Sequence, residues 1–182
     1  MVKIVVFIIL SIPVVLVSWR SLWNIKSHGF YRFFSWECIL WLFISNYKYW
    51  FVDALSVQQI VSWLLLVLSV YVLVAGIVLL RTRGKSKQSR EDDTLHKFEK
   101  TTELVDTGIY NHIRHPLYAS LLFLTWGICL KNITLPLFVI SLFSSLFLYI
   151  TARFDEKECI AYFGDKYQSY MKRSKMFIPY LI

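Results

Sequence analysis

The strongest constraint on this chain is a series of apolar runs with almost no charge in them. Val57 to Leu80 contains no Asp, Glu, Lys or Arg, and neither does Pro116 to Leu130 or Ile133 to Ala152. About 20 such residues cross the hydrocarbon core of a bilayer as one helix. Two further runs, Val2 to Trp19 and Phe30 to Ser45, are nearly as apolar. Hydrophobic residues make up 57% of the 182, more than a water-soluble domain of this length tolerates. The pattern predicts an all-α integral membrane protein with about five transmembrane helices in one domain, 1–182. Three spans fill 1–80, and 81–182 forms a second half built on a helical hairpin, with Lys131 and Asn132 as its tight turn.

Lys3 ahead of the first run is reminiscent of a cleavable leader. No small-x-small site follows, so the run reads as the first span, with Pro13 predicting a kink in it. The second run holds Arg32 and Glu37. Arg32 lies at its end and can snorkel. Glu37 lies deeper and must face the bundle or a wet cavity, either against a structural partner or lining a site. Cys38, Cys129 and Cys159 have no paired spacing, which argues against a disulfide framework and against a metal site.

Charge sets the expected orientation. Five spans put 17 of the 20 Lys and Arg on the side of the first connection, the 81–102 stretch and the tail, and only 3 on the other. Such an excess predicts an N-terminus outside and a cytoplasmic C-terminus. It also accounts for the net charge of +8 without nucleic acid as a partner. The basic stretch between the third and fourth spans has no long apolar run and must lie outside the hydrocarbon, with residues 84–100 a possible lid.

The polar chemistry converges on one face. Gly108 to Tyr118 reads Gly-Ile-Tyr-Asn-His-Ile-Arg-His-Pro-Leu-Tyr and leads straight into the fourth span. Pro116 suits the first position of that helix and His115 its cap. Helix N-termini offer spare N–H donors and partial positive charge, a seat for an anionic group. The hairpin brings this start close to the end of the fifth span, where Asp155 and Glu156 sit. Carboxylates opposite a helix N-terminus suit a zwitterion, and one with a further cation, as in S-adenosylmethionine, fits such a field. A solvated patch of mixed charge is the alternative on these grounds alone.

Taken in order, Leu104-Val105, Gly108, Tyr110, Arg114-His115-Pro116, Tyr118, a hydrophobic hairpin, Asp155-Glu156, Phe163-Gly164, Tyr167 and Tyr170 resemble the isoprenylcysteine carboxyl methyltransferase family. They also resemble the wider group of membrane methyltransferases that includes the phospholipid N-methyltransferases. The resemblance covers about 101–179. It implies S-adenosylmethionine as cofactor, in a cytoplasmic pocket formed by the 81–115 connection and the tail. Thr102, Glu103, Leu104 and Val105 would lie along the adenosine, and Tyr110 would contact the cofactor. His115, Pro116, Leu117 and Tyr118 would close over its methionine part. Asp155 would bind it, with Glu156 beside it.

Two departures bear on the acceptor. The family has Glu-Glu where this chain has Asp155-Glu156. The isoprenylcysteine enzymes carry an Arg four residues before the first acid, where this chain has Thr151, and the nearest Arg is Arg153. The resemblance implies methylation of a lipid-like acceptor, foremost at a carboxylate, with Arg153 or Arg114 orienting it. An amine acceptor would instead need Glu156 to take a proton. A small thiol or a fatty acid also fits. The competing class is a non-enzymatic scaffold or transporter subunit. It requires polar groups at mid-membrane, and the last two spans offer only Thr, Ser and Tyr.

Overall fold

The computed structural model describes residues 1–84 and 101–179. Six α-helices make up the frame: α1 (Val2–Leu22), α2 (His28–Asn46), α3 (Val57–Arg83), α4 (Pro116–Cys129), α5 (Leu135–Phe163) and α6 (Asp165–Arg173). Among the described residues the only β pairing is an isolated parallel bridge between Ile113 and Lys175. The possible lid over 84–100 lies, apart from Gly84, outside the described residues.

Local chemistry explains where the helices begin and end. Ser27 caps α2 by accepting the Gly29 N–H at 3.1 Å, and Ser56 caps α3 by accepting that of Gln59 at 3.3 Å. Pro116 opens α4 with His115 at the cap, as the sequence predicts. α1 runs unbroken through Pro13. α5 continues past the apolar run as one helix to Phe163, because no breaker intervenes before Gly164. There φ is +61°, a conformation that costs glycine little, and the chain reverses into α6.

The helices pack α1 on α2, α2 on α5, α5 on α4 and α4 on α3. The seams are built from small residues, which let backbones approach closely where lipid supplies no hydrophobic drive. On α3, Ser62, Ser69 and Gly76 recur every seven residues and face α4. The Ser62 hydroxyl donates to the Gly127 carbonyl at 2.7 Å and that of Ser69 to the Ser120 carbonyl at 2.8 Å. At the α2–α5 seam the Ser35 and Ser144 hydroxyls lie 2.9 Å apart, and Thr125 of α4 reaches Ser144 at 3.2 Å. Glu37 accepts from Ser11 of α1 at 2.6 Å, so it ties α1 to α2 rather than lining the pocket described below.

Three helices, α1, α3 and α5, are long and apolar enough to cross a membrane. α4 has 14 residues and spans about 21 Å, short of the roughly 30 Å hydrocarbon core. α2 and α4 each pack between two neighbours, which relieves them of facing lipid all round. The expected five-run pattern therefore appears as three long spanning helices with two others packed among them. Side chains of α1, α3 and α5 such as Ile8, Leu64, Val74 and Phe143 are exposed on the outside of the bundle, as lipid contact requires.

Candidate functional site

At one end of the bundle a cleft of about 690 Å³, counted to its open mouth, lies between the start of α4, the last turns of α5, and α6. Its lining follows from helix periodicity. Asp155, Cys159 and Phe163 are four residues apart on α5, share one face, and all line the cleft. Glu156 is one residue, about 100°, further round and faces away.

The start of α4 forms the opposite wall. Arg114, His115, Pro116, Leu117 and Tyr118 all line it, with Tyr110 beside them. Gly108, at φ +61°, begins the short 3₁₀ turn that delivers Tyr110. α6 closes the third side through Tyr167 and Tyr170. The Tyr170 hydroxyl donates to the Tyr110 carbonyl at 2.6 Å. Burial pushes the ionisation of both α6 tyrosines far up, so they remain neutral.

Beyond α6 the chain runs back along the 112–115 segment. The Lys175 N–H donates to the His112 carbonyl at 2.9 Å, the Arg114 N–H to that of Lys175 at 2.7 Å, and the His115 N–H to that of Met176 at 3.1 Å. This strap fixes the backbone that carries Arg114 and His115. The segment at 101–105 is held by its own anchor, the Thr102 N–H donating to the Gly84 carbonyl at 3.1 Å. Leu104 and Val105 thereby reach the cleft. Thr102 and Glu103 line an adjoining open groove that shares Leu104 and Phe163 with it.

Charge is concentrated on the last turns of α5. Glu156 is only 2% exposed and is held by two arginines. Arg114 Nε and Nη2 meet its Oε1 at 2.9 and 2.8 Å, and Arg153 Nη1 meets its Oε2 at 3.0 Å. Arg114 Nη1 also donates to the carbonyls of Met171, at 3.3 Å, and Ser174. The buried His115 ring stands between the acids, Nδ1 3.4 Å from Asp155 and Nε2 3.5 Å from Glu156, and stacks on Tyr118. Burial by itself lowers the His115 pKa. The two carboxylates outweigh it, so the pKa is raised above 6.5 and the imidazolium is favoured.

The residues singled out in the sequence thus fall into three groups. Leu104, Val105, Tyr110, His115, Pro116, Leu117, Tyr118 and Asp155 line the cleft, and Thr102 and Glu103 line the adjoining groove. Glu156 and Arg153 lie outside both. Arg153 is half exposed and points along the unbroken α5 to Glu156, not into the site. Thr151, at the position of the missing Arg, donates to its own helix at Phe147. Cys159, a lining residue that sequence reasoning passed over, could have been found from its four-residue step beyond Asp155. His28, also passed over, carried no such signal. Its Nδ1 lies 2.7 Å from Glu158 Oε2, a contact across 130 residues. His28, Asp155 and Glu158 bring potential ligand atoms within 4.8 Å of one another.

A carboxylate and a helix N-terminus bordering one aromatic cleft can hold a molecule bearing both a cation and an anion. Over 73 residues, 40% of its length, this chain is 32% identical to methanethiol S-methyltransferase of Pseudomonas deceptionensis, covering 27% of that protein. Over 74 residues, 41% of the chain, it is 26% identical to methanethiol S-methyltransferase of Crocosphaera subtropica, covering 28% of it. The matched part spans little more than a quarter of the length of these relatives. No solved structure matches the chain. The phospholipid methyltransferase family matches residues 57–166, which include α3, α4, α5 and nearly all of the cleft's lining; the chain belongs to that family.

Proposed function

We propose that the protein is an S-adenosylmethionine-dependent methyltransferase of the membrane, acting on a thiol, small or lipid-borne. The observation that supports this reading is that Asp155, 3.4 Å from His115, lines the same cleft as the first turn of α4. The chain's own groups fit the donor. Asp155 would take its ammonium, and the positive end of α4 at Leu117 and Tyr118 would take its carboxylate. Leu104, Val105 and Tyr110 offer backbone and ring surface for the adenosine. When bound, the sulfonium supplies an activated methyl group.

His115 and Asp155, the charged pair beside the start of α4, are engaged with each other. His115 is favoured as the imidazolium and Asp155 lies against it, so neither is a poised base. An acceptor must therefore arrive ionised or give up its proton easily. A thiol, with a reference pKa of about 8.5, meets this far better than an amine at about 10.4. A carboxylate arrives ionised, but it needs a cation to orient it. Arg114 is committed to Glu156 and two tail carbonyls, and Arg153 to Glu156. The relatives named as thiol methyltransferases support the same choice. In the overall change R–SH becomes R–S–CH3, its proton goes to water, and the donor leaves as a neutral thioether.

The cleft end is the end that carries the excess of Lys and Arg, which supports placing it on the cytoplasmic side, where a soluble donor is available. An apolar acceptor can reach it sideways from the bilayer. Radiolabelled methyl transfer into a panel of alkyl thiols, prenylated cysteine carboxylates and phosphatidylethanolamine tests the reading. Label in the thiols is expected. Label confined to the carboxylate or the amine would overturn the choice of acceptor, and absence of any donor binding would overturn the enzyme reading.

A further inference from the structure

Asp155 and Glu158 are three residues apart on α5 and face the same way. Between them stands His28, the first residue of α2, which is fully buried. Glu158 grips it twice, accepting the backbone N–H at 3.3 Å through Oε1 and meeting Nδ1 at 2.7 Å through Oε2. Nε2 is buried and has no hydrogen-bond partner, so the charge of the ring is not engaged elsewhere. A carboxylate oxygen of Asp155 lies within 4.8 Å of the His28 ring and of Glu158.

We infer that His28 is a positioning residue: its ring lies within reach of both Glu158 and Asp155 and, together with His115, holds the Asp155 carboxylate in place at the cleft. His28 does not line the cleft, and it lies outside the segment matched by the family, which begins at Val57. The N-terminal helices would then contribute to the donor site through charge, not through contact. Other charges bear on the arrangement. Arg32 of α2 opposes protonation of His28, while His115 and Tyr118 face Asp155 from α4 and its cap. With Nδ1–H given to Glu158, a metal ion could take the ring only at Nε2, and only from the neutral imidazole.

The inference rests on the donor reading above. The test is calorimetric titration of the full chain in detergent with S-adenosylmethionine, repeated across about pH 5.5 to 8.5. His28→Gln removes the charge and is expected to weaken binding about tenfold near neutrality. The loss should grow as pH falls through the wild-type His28 pKa, which is raised above 6.5, because more of the wild type then carries the charge that the variant lacks. His28→Lys restores a cation and should bind within about threefold of wild type. Glu158→Gln leaves His28 beside Asp155 and should weaken binding less than His28→Gln does. Leu42→Ala, a cavity in the same helix, should lower Tm without changing affinity.

Equal losses in His28→Gln and His28→Lys, or an unchanged pH dependence in His28→Gln, would overturn the inference, as would binding abolished by EDTA. If wild type binds the donor and His28→Gln binds it equally well, only the role of His28 fails. If wild type binds no donor, the donor reading fails and this inference with it.

Discussion

The two ends of the bundle bury charge in opposite ways. At the cleft end three carboxylates on neighbouring turns of α5 meet two arginines and two histidines, and the array borders a cavity. At the far end Lys131, in the turn between α4 and α5, is 2% exposed, and no carboxylate among the described residues pairs with it. Its ammonium donates to Gln59 Oε1 at 3.0 Å and lies 3.8 Å from the centre of the Trp63 ring and 5.4 Å from that of Trp50. Amides of Asn46, Gln58 and Gln59 finish that end by donating to the carbonyls of Ile128, Leu130 and Lys131. One end therefore sets cations against acids beside a cavity. The other uses amides and aromatic faces to seal helix ends. Ion pairs suit the first task because a ligand can share them, and cation–π contacts suit the second because they leave nothing for a ligand to take.

Breaking the pairs tests this contrast. Glu156→Ala leaves Arg114 buried beside Arg153 without its counter-charge. We expect a loss of about 3–5 kcal/mol, read as a large fall in Tm in detergent. Retention of wild-type Tm would mean that the arginines find water and that the end is more open than described. Asp155→Asn should fold, because His115 and Tyr118 can still hydrogen-bond it, yet weaken donor binding by about 1.5–3 kcal/mol, roughly 10- to 150-fold. Lys131→Met at the sealed end should cost about 1–2 kcal/mol of stability through the orphaned Gln59 oxygen, with donor affinity unchanged. A change of affinity there would show that the ends are coupled.

The smallest effect is with pH. The folded-state pKa of His115 is raised above its ordinary 6.5, so its contribution to stability is complete below that value and is lost as pH rises through the raised pKa. The Tm difference between wild type and His115→Gln should therefore shrink on going from mildly acidic to alkaline buffer. A gap that widens instead would reverse the sign of the charge assigned to His115.

Local signals in the sequence carried most of the frame. Charge-free runs marked α3, α4 and α5, the Pro116 signal placed the start of α4, and the short Lys131-Asn132 turn forced its start toward the end of α5. Those same signals put Asp155 opposite His115. What stayed hidden depends on contacts between distant parts of the chain. The clamp of Arg114 and Arg153 on Glu156 follows from a 100° step on α5 that matters only once the tail has docked. The pairing of residues 112–115 with 175–176 leaves no strand-like pattern, because a single bridge needs none. His28 looked like a polar residue in a short connection, and only the approach of α5 gives it a partner.

The strap also has a consequence in time. Arg114 is made sixty residues before Ser174, whose carbonyl it grips. At about 5–20 residues per second, translation separates them by roughly 3 to 12 seconds. During that interval the hairpin can enter the bilayer with a naked guanidinium at its mouth, and the ligand pouch takes shape only when the final stretch arrives to latch it.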